Sequence, residues 1–400
     1  MRLLAATSFA ATITLVGAGL SAATAGSGPG VAADSSLRVA PGTSAERAAP
    51  ALSVRRQAGG LNHPWDVREI GNGRLLVTER DPARLSVISG SRRSTVEFPS
   101  DRVWVSGETG LMGLELDAAF PRNGRFYTCS GWQDATAPGG HDVRVNAWRL
   151  NGPATKASLI GPLLTGLPTT SGRHGGCRLL LAENGALIVG TGDAAVGSNP
   201  RNLRSLGGKT LRLDPRTGRP WKSNPFIEAA NRAQRYVLTY GHRNIQGLAQ
   251  RGDGTLWSVE HGSYRDDEVN RLVAGGDYGW NPVPGYNESV PMTDQRLPGR
   301  QIGARWRSGT PTIATSGADF VQGKRWGRLR GSLAVAALAG ERLVFLTFDR
   351  RGRLQRTASP AALTRLGRLR TVHQLANGDL AVLTDADGAQ GAVYRVRPAR

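Results

Sequence analysis

One short pattern recurs six times along this chain and constrains its fold more than any other feature. A turn residue and a glycine are followed by an apolar, strand-like run: Asn72-Gly-Arg-Leu-Leu-Val77, Asn123-Gly-Arg-Phe-Tyr-Thr128, Asn184-Gly-Ala-Leu-Ile-Val189, Asp253-Gly-Thr-Leu-Trp-Ser258, Arg330-Gly-Ser-Leu-Ala-Val335 and Asn377-Gly-Asp-Leu-Ala-Val382. The glycines at 73, 124, 185, 254, 331 and 378 are 51, 61, 69, 77 and 47 residues apart. Asn-Gly and Asp-Gly accept the positive φ of a tight hairpin turn, and the alternation after them suits a strand. Further strand-like stretches follow, such as Arg84–Ile88, Lys209–Leu213 and Ala392–Val396. Six such units predict an all-β chain: a six-bladed β-propeller of four-stranded antiparallel blades. A two-sheet sandwich is the structural alternative, but one hairpin signal repeated six times favours radial repetition. The uneven spacing predicts long insertions between strands, where such folds carry their chemistry.

The N-terminus reads differently. Met1-Arg2, the apolar run Leu3–Leu20 and the small residues Ala23-Thr24-Ala25 predict a secretory signal peptide over residues 1–25. Residues 26–55, rich in Gly, Ala, Ser and Pro, read as a flexible linker, leaving 56–400 for the propeller. No other stretch resembles a spanning helix, so the expectation is an exported protein without a stable membrane anchor. Export in turn makes Cys129 and Cys177 compatible with one disulfide, two buried thiols being the alternative. The formal charge is +20, yet 47 of the 51 cations are arginine and they are spread over the whole chain. A nucleic-acid stripe would concentrate them, so no nucleic-acid partner is expected.

Several common chemistries are excluded. Gly190-Thr-Gly-Asp-Ala-Ala195 loosely fits a dinucleotide fingerprint, but Asn199-Pro200 interrupts the helix it requires. Gly208-Lys-Thr210 has Leu203 where a phosphate loop needs Gly, and there is no Gly-x-Ser-x-Gly or His-Glu-x-x-His. Four polar clusters remain. Arg173-His-Gly-Gly-Cys-Arg178 offers a histidine able to accept a proton near neutral pH. Tyr240-Gly-His-Arg-Asn244 offers donors for carbonyl or carboxylate groups, and Glu260–Glu268 is dense in the oxygens that hard cations prefer. Arg368-Leu-Arg370 alternates as a strand would, which predicts two guanidinium groups on one side, able to clamp an anion.

Taken together, these residues resemble the glucose/sorbosone dehydrogenase family, the soluble aldose sugar dehydrogenases dependent on pyrroloquinoline quinone (PQQ). The resemblance rests on Tyr240-Gly-His-Arg-Asn-Ile-Gln-Gly-Leu-Ala249, Glu260-His-Gly262, Asp267-Glu-Val-Asn270 and Gly276-Asp-Tyr-Gly-Trp280. His174-Gly-Gly-x-Arg178, Gly192-Asp193, Gly207-Gly-Lys209 and Gly110-Leu-Met-Gly113 match other landmarks, in order, between about residues 57 and 398. The resemblance implies a six-bladed propeller with PQQ and calcium as cofactors. It implies His174 as general base, Arg243 and Asn244 as PQQ contacts, and Arg368 and Arg370 as partners of its carboxylates. The backbone carbonyls of Gly262 and Ser263 match ligands of an active-site calcium, and Glu268 and Tyr278 match a second, structural calcium site. A sugar substrate and an external electron acceptor follow; oligomeric state does not.

Three positions depart from the family pattern. Glu108, at a cofactor-contact position, stands where characterised members carry Gln, and a carboxylate there repels an anionic cofactor unless protonated or turned away. The family lysine near the quinone aligns with Gln322, two residues before Lys324. Arg173 replaces an acidic residue before the histidine, removing one carboxylate that could orient the base. Two rival readings share the architecture: a calcium-dependent lactonase, and a non-catalytic carbohydrate-binding propeller using some of the nine tryptophans.

Overall fold

A computed structural model describes residues 50–399. The predicted signal peptide and the linker up to residue 49 lie outside the described residues. Six separate four-stranded antiparallel sheets account for 24 strands. Their first strands, Pro64–Glu69, Leu111–Leu116, Arg178–Leu181, Ile245–Gln250, Thr315–Phe320 and Leu369–Gln374, neighbour one another in a closed ring. This is the expected six-bladed propeller.

All six repeat glycines occupy one place, the turn between the innermost and second strand of a blade. Their φ angles are 67, 62, 85, 81, 76 and 80°, which only glycine adopts without strain. The repeat therefore marks one end of the barrel-like ring. Residues just before an innermost strand, or just after a second strand, gather at the opposite end.

In blade 1 burial falls away toward the outer strand. The second strands Leu75–Glu79, Leu187–Gly190 and Leu380–Thr384 are buried throughout, whereas the outer strand Arg92–Val96 is exposed at all but one residue. Both faces of an inner strand meet a neighbouring blade, so apolar side chains from adjacent sheets fill the wedges between them. One wedge combines Trp65, Met112, Tyr127, Leu179, Leu187 and Leu211 from three blades. Each side chain of that size contributes about 1.5–3 kcal/mol when fully buried.

The last blade is built from both ends of the described chain. Leu52–Leu61 pairs antiparallel with Gly391–Pro398, Leu52 opposite Pro398, and becomes the outer strand of the sheet that begins at Leu369. The strand begins at Leu52, so residues 52–55 belong to the propeller and not to the linker. Leu52 and Val54 are half-buried against the sixth-blade core, which an unstructured segment would leave exposed. Cys129 and Cys177 are bonded, with Cα atoms 5.9 Å apart, and tie the second strand of blade 2 to the loop entering blade 3.

Candidate active site at the mouth of the ring

The chemistry-bearing residues converge at the end opposite the glycine turns. His174 precedes the innermost strand of blade 3, and Asp193 follows that blade's second strand. His174 Nδ1 lies 2.8 Å from Asp193 Oδ1 with both side chains buried. Nε2 has no partner among the described residues and is the ring nitrogen left to take a proton. Gly192 permits this pairing, because a Cβ there would stand 1.8 Å from the His174 carbonyl oxygen. His174 therefore does have an orienting carboxylate. It comes from the neighbouring loop and not from position 173, so replacement by Arg173 removes nothing.

Glu108 supports the same loop. Its Oε2 accepts the His174 amide at 3.1 Å and the Asn244 Nδ2 at 3.2 Å. Two donors therefore hold one oxygen of this carboxylate at the site. Asn244 in turn accepts the Gly176 amide at 3.2 Å and Gln246 Nε2 at 3.1 Å. Gln246 Oε1 reaches Arg370 Nη1 at 3.3 Å, and Arg370 Nη2 donates to Asp385 at 2.7 Å. One polar network thus runs around the axis from blade 3 through blade 4 to blade 6.

The arginine pair is not symmetric. Arg368 lies just before the strand and is 49% exposed, whereas Arg370 sits at a register shift and is 7% exposed. Simple alternation fails there, yet both guanidinium groups approach Asp385, at 3.9 and 2.7 Å. Asp385 is buried, which alone would raise its pKa. The Arg370 charge and hydrogen bonds from His63 and Arg370 overturn this and hold it below the usual carboxylate range.

Arg243 is buried and donates to Glu288 at 2.5 Å; Arg173 donates to the other Glu288 oxygen at 2.7 Å. Several buried donors here remain unspent: Arg243 Nε, Arg370 Nε and Arg178 Nη2, with the Ser263 hydroxyl. His261 stays neutral, since burial and the Arg370 and Arg243 cations push its pKa well below the ordinary value. Buried guanidinium groups with free N–H bonds fit an anionic ligand, because each unsatisfied donor costs free energy until such a ligand arrives.

The calcium-related positions are divided. Gly262 and Ser263 lie in a tight loop at the mouth, closed by the Gly262 amide donating to Asp267 at 3.0 Å. Glu268 is buried opposite Glu260 across two paired strands. Asn270 Nδ2 donates to both carboxylates while its Oδ1 has no partner, so oxygen donors for a hard cation are present. Burial first, and then the Glu260 charge, pushes Glu268 up to about 8. The Tyr278 hydroxyl is already committed, donating to the Arg271 carbonyl and accepting the Val273 amide. That leaves Tyr278 only its backbone carbonyl for a cation. Among the described residues no group of three or more His, Cys, Asp or Glu side chains is arranged to hold a metal.

Gln322 and Lys324 belong elsewhere. They follow the end of the blade 5 inner strand, where the Gln322 amide bonds Gln374 Oε1 at 2.7 Å, at the glycine-turn end of the ring. Neither can stand in for a lysine beside His174, because the full length of the strand separates them from the mouth.

The family model for glucose/sorbosone dehydrogenases matches residues 61–395. The chain belongs to the glucose/sorbosone dehydrogenase family. Within and around this family, the aldose sugar dehydrogenase of Escherichia coli is 27% identical over 366 residues, covering 89% of this chain and 96% of its own. An uncharacterised Synechocystis protein is 30% identical over 369 residues, covering 83% of each chain. The PQQ-bound aldose sugar dehydrogenase of Streptomyces coelicolor superposes with a TM-score of 0.73 at 26% identity, covering 87% of this chain and 99% of its own. Family membership makes the protein an oxidoreductase of the glucose/aldose dehydrogenase type.

Sequence reasoning missed several participants. Asp193 was visible only as part of a matched motif without a role. Trp280, Tyr286 and Glu288 reach the site from the long insertion of blade 4, residues 272–305, between its third and fourth strands. Trp280 stood in a matched motif without a role, and no local pattern links Tyr286 or Glu288 to a histidine more than a hundred residues earlier.

Proposed function

We propose that this protein is an exported PQQ- and calcium-dependent dehydrogenase that oxidises aldoses at the anomeric carbon to lactones. The observation that carries the reading is His174, oriented by Asp193, at the rim of a ring of buried arginines with unspent donors. Arg370, Arg368, Arg243 and Asn244 would hold the PQQ carboxylates and carbonyls by charge-assisted bonds. When bound, PQQ supplies the two-electron acceptor for the hydride that leaves the anomeric carbon. His174 Nε2 takes the hydroxyl proton of the same sugar carbon, so loss of one hydride and one proton turns the ring hemiacetal into a lactone. Asp193 stabilises the imidazolium that forms, and the proton then passes to solvent. Backbone oxygens of Gly262 and Ser263 would hold a calcium ion, and the Glu268 region a second. Support for PQQ comes from the relatives' cofactor and from the donor ring. Support for export comes from residues 1–25, and an exported enzyme needs an external electron acceptor.

The test is reconstitution of purified protein with PQQ and Ca²⁺, followed by dye reduction with a panel of aldoses. Cofactor-dependent turnover that disappears in His174→Ala is expected. Absence of both PQQ binding and turnover would overturn the reading. EDTA-sensitive lactone hydrolysis without quinone binding would select the lactonase, and sugar binding without turnover the binding propeller.

A further inference from the structure

We propose that Tyr286 and Trp280, both supplied by the blade 4 insertion, are positioning residues that hold His174 in the tautomer carrying its proton on Nδ1. The inference rests on the reading of His174 as the base. It begins from Asp193, whose carboxylate is saturated. Oδ1 accepts the Ala195 amide at 2.8 Å and faces His174 Nδ1 at 2.8 Å. Oδ2 accepts Trp280 Nε1 at 2.8 Å and the Tyr286 hydroxyl at 2.8 Å.

The backbone amide and the indole N–H can only donate, so each Asp193 oxygen is held as an acceptor by a fixed donor. A hydroxyl has one proton, and Tyr286 gives it to Asp193. Its oxygen then turns a lone pair toward His174 Nδ1, 2.9 Å away. Nδ1 therefore faces a carboxylate oxygen and a phenol oxygen together. An unprotonated Nδ1 would set lone pair against lone pair on the carboxylate side. The proton accordingly sits on Nδ1, and Nε2 is left basic.

Both supporting side chains are themselves held. Trp280 is fully buried, and the Tyr286 ring meets it edge-on with centroids 6.3 Å apart. The Arg173 guanidinium stands over the Tyr286 ring, 5.5 Å from its centroid. Burial and the Asp193 charge raise the Tyr286 pKa far above the ordinary phenol value, so it remains a donor at every working pH. Without the insertion, Asp193 Oδ2 would lose two donors and be free to rotate, and Nδ1 would lose one of its two oxygens. A buried carboxylate that is only half satisfied no longer dictates the ring's tautomer.

The experiment is long-range ¹H–¹⁵N correlation NMR of the full chain, read at His174 without cofactor, for wild type, Tyr286→Phe and Trp280→Phe. Wild type is expected to show a pyrrole-type Nδ1 and a pyridine-type Nε2. Each variant should show averaged nitrogen shifts, the mark of a tautomer mixture, with a folded spectrum elsewhere. In reconstituted enzyme the same variants should lower kcat about ten- to a hundredfold with little change in KM. Nδ1–H shifts that remain at wild-type values in both variants would overturn the proposal, as would a wild-type protein with its proton on Nε2. Should Tyr286→Phe fail to fold, Trp280→Phe decides the question by the same shifts. If the variants change the tautomer while wild type neither binds PQQ nor oxidises aldoses, the positioning role stands and the dehydrogenase reading falls.

Discussion

Arg368 and Arg370 share a motif but not an environment. Arg370 is buried and makes a 2.7 Å bond to the equally buried Asp385, whereas Arg368 is half exposed and 3.9 Å from the same carboxylate. Arg370→Ala leaves Asp385 buried and stripped of its main partner, a change costing roughly 3–5 kcal/mol of stability. Arg368→Ala removes a solvated cation and should cost well under about 1 kcal/mol. PQQ affinity should fall in both, by about tens- to thousands-fold where a buried charge-assisted contact is lost. Thermal melts and quinone titration separate the effects: a large drop in Tm for Arg370→Ala only, weakened binding for both. Equal melting temperatures, or unchanged PQQ affinity in both variants, would place the anion site elsewhere.

Loops, at the scale of elements, carry the chemistry, and two devices hold them. Lys209, buried on the third strand of blade 3, donates to the carbonyls of Asn199, Pro200 and Gly207 at 2.7, 2.9 and 2.6 Å. It pins the segment that follows Asp193. The Cys129–Cys177 bridge pins the segment that follows His174 and closes a stretch of 48 residues. In the chain-entropy model, removing a crosslink of that span costs about 4 kcal/mol. Cys129→Ser should therefore lower the melting temperature clearly. Turnover per PQQ-loaded molecule should change by less than about fivefold, because the hydrogen bonds that His174 donates to Asp193 and Glu108 aim it. A variant with wild-type stability, or one folded but catalytically dead, contradicts that division of labour.

The molecule as a whole holds buried carboxylates of opposite tendency. Burial opposes ionisation of Asp66, but the Arg178 and Arg68 cations and two backbone amides win and lower its pKa. Asp385 behaves likewise. Their stabilisation is complete above the unfolded carboxylate value near pH 4 and is lost as pH falls through the lowered folded values. Glu268 has the opposite sign. Pushed up to about 8 by burial and by Glu260, it keeps a proton that the unfolded chain releases near pH 4.5. Stability therefore declines as pH rises from about 4.5 to 8. Melting temperature measured against pH without metal should peak in mild acid, and Glu268→Gln should flatten the decline toward pH 8. Repeating the scan with Ca²⁺ tests the proposed second cation site, whose occupancy would keep both carboxylates ionised and remove the decline. A wild-type profile that rises steadily from pH 5 to 8 without metal would refute this assignment.

The amino-acid sequence alone determined the ring of six blades, because a positive-φ glycine before an apolar strand is a local requirement and each of Gly73, Gly124, Gly185, Gly254, Gly331 and Gly378 states it independently. His174, Arg243, Asn244 and Arg370 were assigned their roles only through the family resemblance; the structure brings them to one end of the ring because each stands at or just before the start of an innermost strand. The strand that closes the ring was partly hidden, since its first residues, 52–55, look like linker until Gly391–Pro398 offers them an edge. Only the tertiary structure decided how the site is wired. Asp193 meets His174 from the next loop of the same blade, Tyr286 and Glu288 arrive from an insertion in the next blade, and Gln322 proves to lie at the far end of its strand. Such contacts depend on the closure and twist of the whole ring, so no window of sequence encodes them.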